Sequence, residues 1–150
     1  MAQPTPVLNQ LNIVAHDFDA SVRFYRTLGI DIADRSGSDQ DIRHAEVTMS
    51  NGMILEFDNH RLAQTYNASW RSPIGGSRAL LGFTLSSREE VDRTYAELMA
   101  AGYVGRQCPF DAFWGARYAI VVDPDGNDVG LMSPLDPARR TWPPVDSPAT

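Results

Sequence analysis

The chain has no lysine, and all thirteen of its basic residues are arginine. That absence excludes Schiff-base chemistry, a lysine-bound pyridoxal cofactor and a phosphate-loop lysine. Cysteine is nearly absent too. Cys108 alone cannot make an internal disulfide, and it reads as a small buried hydrophobe rather than a reactive thiol. Positive charge is in deficit, with a net charge of -6 and a pI near 4.9, so the surface repels phosphate backbones and anionic lipid. No nucleic-acid partner and no membrane partner are expected. Apolar runs are only a few residues long, and residues 1–11 lack a basic start and an apolar core. No signal peptide or membrane span is read, and a cytoplasmic location is the expectation. The three histidines show no metal-type spacing such as His-x-x-x-His.

What is present is a pair of hairpins. In residues 118–132, apolar and β-branched runs flank Asp123-Pro124-Asp125-Gly126, where Pro124 presets φ and Gly126 supplies the left-handed residue of a bulged type I turn. Asn51-Gly52 lies between two other strand-like runs, 44–49 and 53–58, and predicts a two-residue primed turn. The hairpins lie about 74 residues apart, a spacing that points to an internal repeat.

The order of elements repeats as well. Leu11, Ile13 and Ala15 alternate with polar Gln10 and Asn12, which predicts a strand with one face on a helix. Asp17 caps a helix with a stripe of Phe18, Val22, Tyr25 and Leu28, stopped at Gly29. A short run at 30–33 and the Asn51-Gly52 hairpin follow. A loop of about twenty residues comes next, a binding loop or a linker. Residues 79–85 then read as a strand, Ser86 and Glu89 as a capping box, and Val91, Tyr95 and Leu98 as a helix stripe ending at Gly102. Strands at 103–107, 117–123 and 127–132 complete the second half. The prolines beyond Ser133 argue against a regular element there. The fold class is α+β, one domain over 1–150, with a βαβββ module at about 8–58, a linker at 59–77, a second module at about 78–133 and a tail at 134–150.

Residues 14–21 with Phe24-Tyr25 and Leu28-Gly29, the Asp123-Pro124-Asp125-Gly126-Asn127 hairpin and the Phe113-Trp114-Gly115 turn resemble the vicinal oxygen chelate superfamily, which groups glyoxalases, bleomycin-resistance proteins and ring-cleaving dioxygenases. The resemblance implies two paired modules forming a cup-shaped mixed sheet, with a metal held in many members by one ligand from the first and last strand of each module. Carried over, those positions are Gln10 and Glu56 in the first module and Leu80 and Gly130 in the second. Leu80 and Gly130 offer no metal ligand, and Asn127 stands where the family often has His. No metal cofactor is therefore expected, because two protein ligands do not ordinarily hold a catalytic ion. If a metal is present, Gln10 and Glu56 hold it, with Asp128 or His44 completing the set.

The candidate site residues follow from strand faces. Gln10 and Asn12 should face away from the helix, toward a ligand or toward neighbouring polar groups. Glu56, between Leu55 and Phe57, binds a metal, pairs with Arg78 or Arg117, or serves as a catalytic base. Trp70, Phe110, Phe113 and Trp114 could stack on a flat ligand or pack at an interface, and Arg117 could meet a ligand carboxylate or Glu56. His44 shares a face with Glu46 and Thr48 and reads as a wet sheet face. His16 and His60 read as loop residues. The expectation is a small-molecule-binding protein, a homodimer, that sequesters a flat organic metabolite or drug in the manner of the bleomycin-resistance branch. The alternative is a glyoxalase-like lyase or isomerase, or a dioxygenase, dependent on metal or using Glu56 as general base.

Overall fold

The computed structural model describes residues 8, 10–68, 70–75 and 79–141, so Arg78, Trp142 and the tail prolines at 143, 144 and 148 lie outside it. The chain divides into two units, 1–74 and 75–150. The first contains β1 (Gln10–Ala15), α1 (Phe18–Thr27), β2 (Ala33–Asp34), β3 (His44–Thr48), β4 (Ile54–Asn59) and α2 (His60–Tyr66). Its sheet runs β1-β4-β3-β2, with β1 parallel to β4 and the other pairs antiparallel. The second unit contains β5 (Leu80–Thr84), α3 (Arg88–Ala100), β6 (Val104–Asp111), β7 (Arg117–Val122) and β8 (Asp128–Met132), ordered β5-β8-β7-β6 with the same parallel and antiparallel pattern. Two four-stranded mixed sheets with their helices make the α+β class expected. Among the described residues no helix is long and apolar enough to cross a membrane.

Each sheet buries one face beneath its long helix. Asp17 caps α1 by accepting from Ala20 N, and α1 buries Phe18, Val22, Phe24 and Tyr25. On β4 the alternation puts Leu55 and Phe57 inside, where the Tyr25 and Phe57 rings lie 5.0 Å apart. Both are fully buried, and each such side chain contributes about 1.5–3 kcal/mol through area removed from water. Leu11, expected on this face, is exposed near the start of β1, while Ile13 and Ala15 are buried. In the second unit α3 buries Val91, Thr94 and Leu98, with Tyr95 at the margin of that stripe.

Four local expectations change. The Asn51-Gly52 turn is not a two-residue primed turn, because only Gly52 has positive φ and Met49 N bonds Met53 O at 2.7 Å. A three-residue loop results, matching the other hairpin, where Asp123 N bonds Asn127 O and Gly126 is left-handed. The α3 cap is Ser87, accepting from Glu90 N, one residue beyond the predicted box. The twenty-residue loop holds α2, capped by the Asn59 side chain on Leu62 N. Past Ser133, among the described residues, a 3-10 turn, Pro137–Arg139, forms because Asp136 accepts from Ala138 N and proline suits a first helical position.

Candidate functional site

The open face of the first sheet, opposite α1, is where the polar residues gather. Strand register sets them in rows. Asn12 on β1, Glu56 on β4 and Glu46 on β3 form one row, and Val14, Asp58 and His44 form the next. Period-two alternation brings all of these side chains to the same face, with Gln10 one step along β1.

Asp58 is the anchor. It is 2 % exposed, and its carboxylate accepts from three donors: His44 Nδ1 at 2.7 Å, Asn12 Nδ2 at 2.7 Å and the Tyr66 hydroxyl at 2.8 Å. A carboxylate only accepts, so Nδ1 carries the proton and Nε2 of the ring faces Glu46, 3.5 Å from its Oε2. Burial disfavours the imidazolium, but the hydrogen bond to Asp58, the Asp58 charge, the Glu46 hydrogen bond and the Glu56 charge outweigh it, so His44 titrates above its ordinary value of 6.5. The Tyr66 phenol is pushed up to about 12, first by burial and then by Asp58 and Glu56.

Glu56 accepts from Gln10 Nε2 at 2.7 Å and from Asn12 Nδ2 at 3.4 Å. Among the described residues no ion pair reaches it. Asn12 Oδ1 is buried without a hydrogen-bond partner there, and flipping the amide would only turn its oxygen toward two carboxylates. A pocket of about 360 Å³ opens over this face, lined by Gln10, Asn12, His44, Glu56, Asp58, Leu62 and Tyr66. His44, Glu46 and Glu56 bring one potential metal-ligand atom each to within 4.8 Å of one another.

The second sheet repeats the geometry without the chemistry. At the positions of Asn12, Glu56 and Glu46 it carries Gly82, Gly130 and Ile120, and at those of Val14, Asp58 and His44 it carries Thr84, Met132 and Tyr118. The family-type metal set does not fit these residues. Leu80 has no donor, Gly130 has no side chain, and a Cβ at Gly130 would stand 2.7 Å from the Tyr118 hydroxyl and 2.9 Å from Leu80 Cδ2, so a carboxylate there would have to displace the ends of both side chains. Asn127 has a structural task, donating to Asp123 Oδ2 at 2.8 Å inside the turn.

The sequence candidates separate accordingly. Gln10, Asn12 and Glu56 come together on the first sheet. Trp114 lies in the second unit in an aromatic cluster, 5.1 Å from the Tyr118 ring and 4.8 Å from Phe113. Arg117, also in the second unit, has its guanidinium engaged by Asp92 at 2.8 Å and Asp111 at 3.3 Å. Trp70 and His60 are ring neighbours at 4.5 Å, and His60 starts α2 rather than sitting in a loop. Cys108, expected to be buried, is exposed, because β6 lies at the sheet edge and has register shifts that leave most of the strand open.

Sequence reasoning undervalued His44 and missed Asp58 and Tyr66. The usable signal was alternation: Glu56 and Asp58 lie two apart on one strand, and His44 and Glu46 two apart on its hairpin partner. Nothing in the sequence announced that Tyr66 would be returned to β4 by a short helix.

Residues 7–131 match the glyoxalase/bleomycin resistance protein/dioxygenase superfamily. Among solved structures, a glyoxalase/bleomycin resistance protein/dioxygenase from Nocardioides shares 27% identity, with a TM-score of 0.67 over 90% of this chain and 87% of that one. A family enzyme from Burkholderia phytofirmans PsJN shares 22% identity, with a TM-score of 0.69 over 85% of this chain and 98% of that one. Lactoylglutathione lyase from Agrobacterium tumefaciens shares 17% identity, with a TM-score of 0.60 over 88% and 96%. At 22% and 17% identity, the latter two likenesses speak for the fold alone. A search of curated proteins returns no match. With 125 consecutive residues matched and the βαβββ arrangement present in both halves, the chain belongs to the glyoxalase/bleomycin resistance protein/dioxygenase superfamily.

Proposed function

We propose that this protein binds a small organic molecule on the open face of its first sheet, without the metal that its family's enzymes hold between two modules. One observation carries the reading: the second-module ligand positions hold Leu80 and Gly130, neither with a donor atom, and the ends of the Tyr118 and Leu80 side chains lie over Gly130. The first-sheet pocket has a volume at the lower end of small-ligand sites. Its carboxylates favour a ligand that presents hydrogen-bond donors or positive charge, and Leu62 and Tyr66 supply apolar contact. Sequestration of a metabolite or drug is the activity such a site serves.

A second reading, proton transfer, is favoured by the Asp58–His44 pair. A buried carboxylate holding Nδ1–H at 2.7 Å fixes the ring tautomer and turns Nε2 toward the pocket, the arrangement a general base requires. Native mass spectrometry of freshly purified protein, followed by ligand-observed NMR with the compound class it reveals, tests the site. Capture should be lost in Asn12→Leu and Tyr66→Leu. Capture unchanged in both would place the ligand elsewhere and end the proposal.

A further inference from the structure

The first sheet carries a charge arrangement that hydrogen bonding alone leaves unresolved. Glu46 and Glu56 are direct cross-strand partners, a register in which like charges repel. Arg35 touches Glu46 at 3.5 Å, and the contacts described for Glu56 are to amides. His44 points Nε2 into the same space, and in the neutral ring that nitrogen is a lone pair facing a carboxylate oxygen, acceptor against acceptor. A proton on Nε2 resolves this contact, and so does a cation.

We propose that His44 Nε2, Glu46 and Glu56 form a divalent transition-metal site contained within the first unit, separate from the two-module set that Leu80 and Gly130 rule out. Three features support it. The donors sit on adjacent strands whose register fixes their spacing, within 4.8 Å of one another. Coordination distances of about 2.0–2.2 Å put tetrahedral ligand atoms about 3.4 Å apart, a spacing that His44 Nε2 and Glu46 Oε2 already have at 3.5 Å, so the remaining approach is that of the Glu56 carboxylate. Behind the ring, Asp58 holds Nδ1 at 2.7 Å and is itself held by Asn12 and Tyr66, so the carboxylate that normally backs a metal-binding histidine is already in place. One imidazole and two carboxylates suit Zn²⁺, Mn²⁺ or Co²⁺ better than Ca²⁺ or Mg²⁺, and three protein ligands leave positions open for solvent or an organic ligand.

The test uses the full chain stripped with chelator, titrated with Co²⁺ followed by visible absorption and with Zn²⁺ followed by calorimetry. One equivalent is expected to bind. His44→Ala and Glu46→Ala should each abolish stoichiometric binding, and Asp58→Asn should weaken it by about 10–100-fold. Glu46→Ala separates this site from the family-type set, to which Glu46 does not belong. It also changes a half-exposed side chain, so it carries the test if His44→Ala fails to fold. Absence of one-to-one binding, or binding that survives Glu46→Ala, overturns the proposal. Organic-ligand capture is measured on the same stripped protein. Capture without metal binding overturns this inference alone, and metal binding without capture overturns only the sequestration reading.

Discussion

Replacing Asp58 with asparagine keeps the shape of the side chain and removes its charge, which makes it the sharpest probe of the first-sheet site. In the native chain both oxygens are used, one by His44 Nδ1 and the other by Asn12 Nδ2 and the Tyr66 hydroxyl. If the new amide keeps its oxygen toward Asn12 and Tyr66, its NH₂ must face His44 Nδ1. The ring then accepts at Nδ1 and moves its proton to Nε2, and that proton must be given up before the nitrogen can act as base or metal ligand. Hydrogen bonds to a charged group contribute about 1.5–3 kcal/mol each. Removing one member of a fully buried pair costs about 3–5 kcal/mol, but His44 remains 27 % exposed and water shares the load. The expected loss is about 1.5–3 kcal/mol, a fall in Tm of roughly 3–12 °C for a domain of this size. Urea unfolding measures the energy, and NMR titration of the His44 ring measures the linked change. With Asp58 neutralised, burial should dominate and bring the His44 pKa down. A stability loss under about 0.5 kcal/mol together with an unmoved His44 titration would refute the reasoning.

Stability should also depend on pH through the same pair. The His44 pKa is raised in the folded chain, so its contribution is fully present below about pH 6.5 and is lost as pH rises through the folded value. Urea midpoints measured across that window should fall in the native protein and stay flatter in Asp58→Asn; parallel profiles would count against the linkage. Tyr66, with its pKa at about 12, should form phenolate only in strongly alkaline solution, and an ultraviolet titration should show it ionising earlier once Asp58 is neutral. Gly130→Ala should cost about 1–3 kcal/mol by pressing a methyl group against Tyr118 and Leu80. Tyr118→Phe, which removes the nearest atom, should recover part of that loss in the double variant, and an unaltered urea midpoint for Gly130→Ala would show that the space is open.

Much of the fold was legible because it rests on local rules. The Phe18, Val22 and Tyr25 stripe, the Asp17 cap and the alternation of Leu55, Glu56 and Phe57 each declare one face, and burial follows them. Turn details were less legible. Asn-Gly is compatible with both a primed turn and a bulged three-residue loop, and the Met49–Met53 pairing decides between them. At the site, Gln10, Asn12 and Glu56 could be found from strand parity. Asp58 could not be singled out, because its importance lies in three donors converging from β1, β3 and α2, and convergence is a tertiary property. Cys108 was misjudged because its burial depended on whether β6 had neighbours on both sides.

The alternation along both sheets gives their two faces different duties. At matching register positions, Ala45 and Ala119, Val47 and Val121, Leu55 and Val129, and Phe57 and Leu131 remain apolar in both halves. On the opposite face, Glu46 faces Glu56 where Ile120 faces Gly130, and His44 faces Asp58 where Tyr118 faces Met132. The residues that hold each sheet to its helix are alike in character in the two halves, while those one step along each strand differ. A repeated scaffold of this kind can carry or lack a chemistry according to every second residue of three strands, and each half of this chain serves as the blank against which the other can be read.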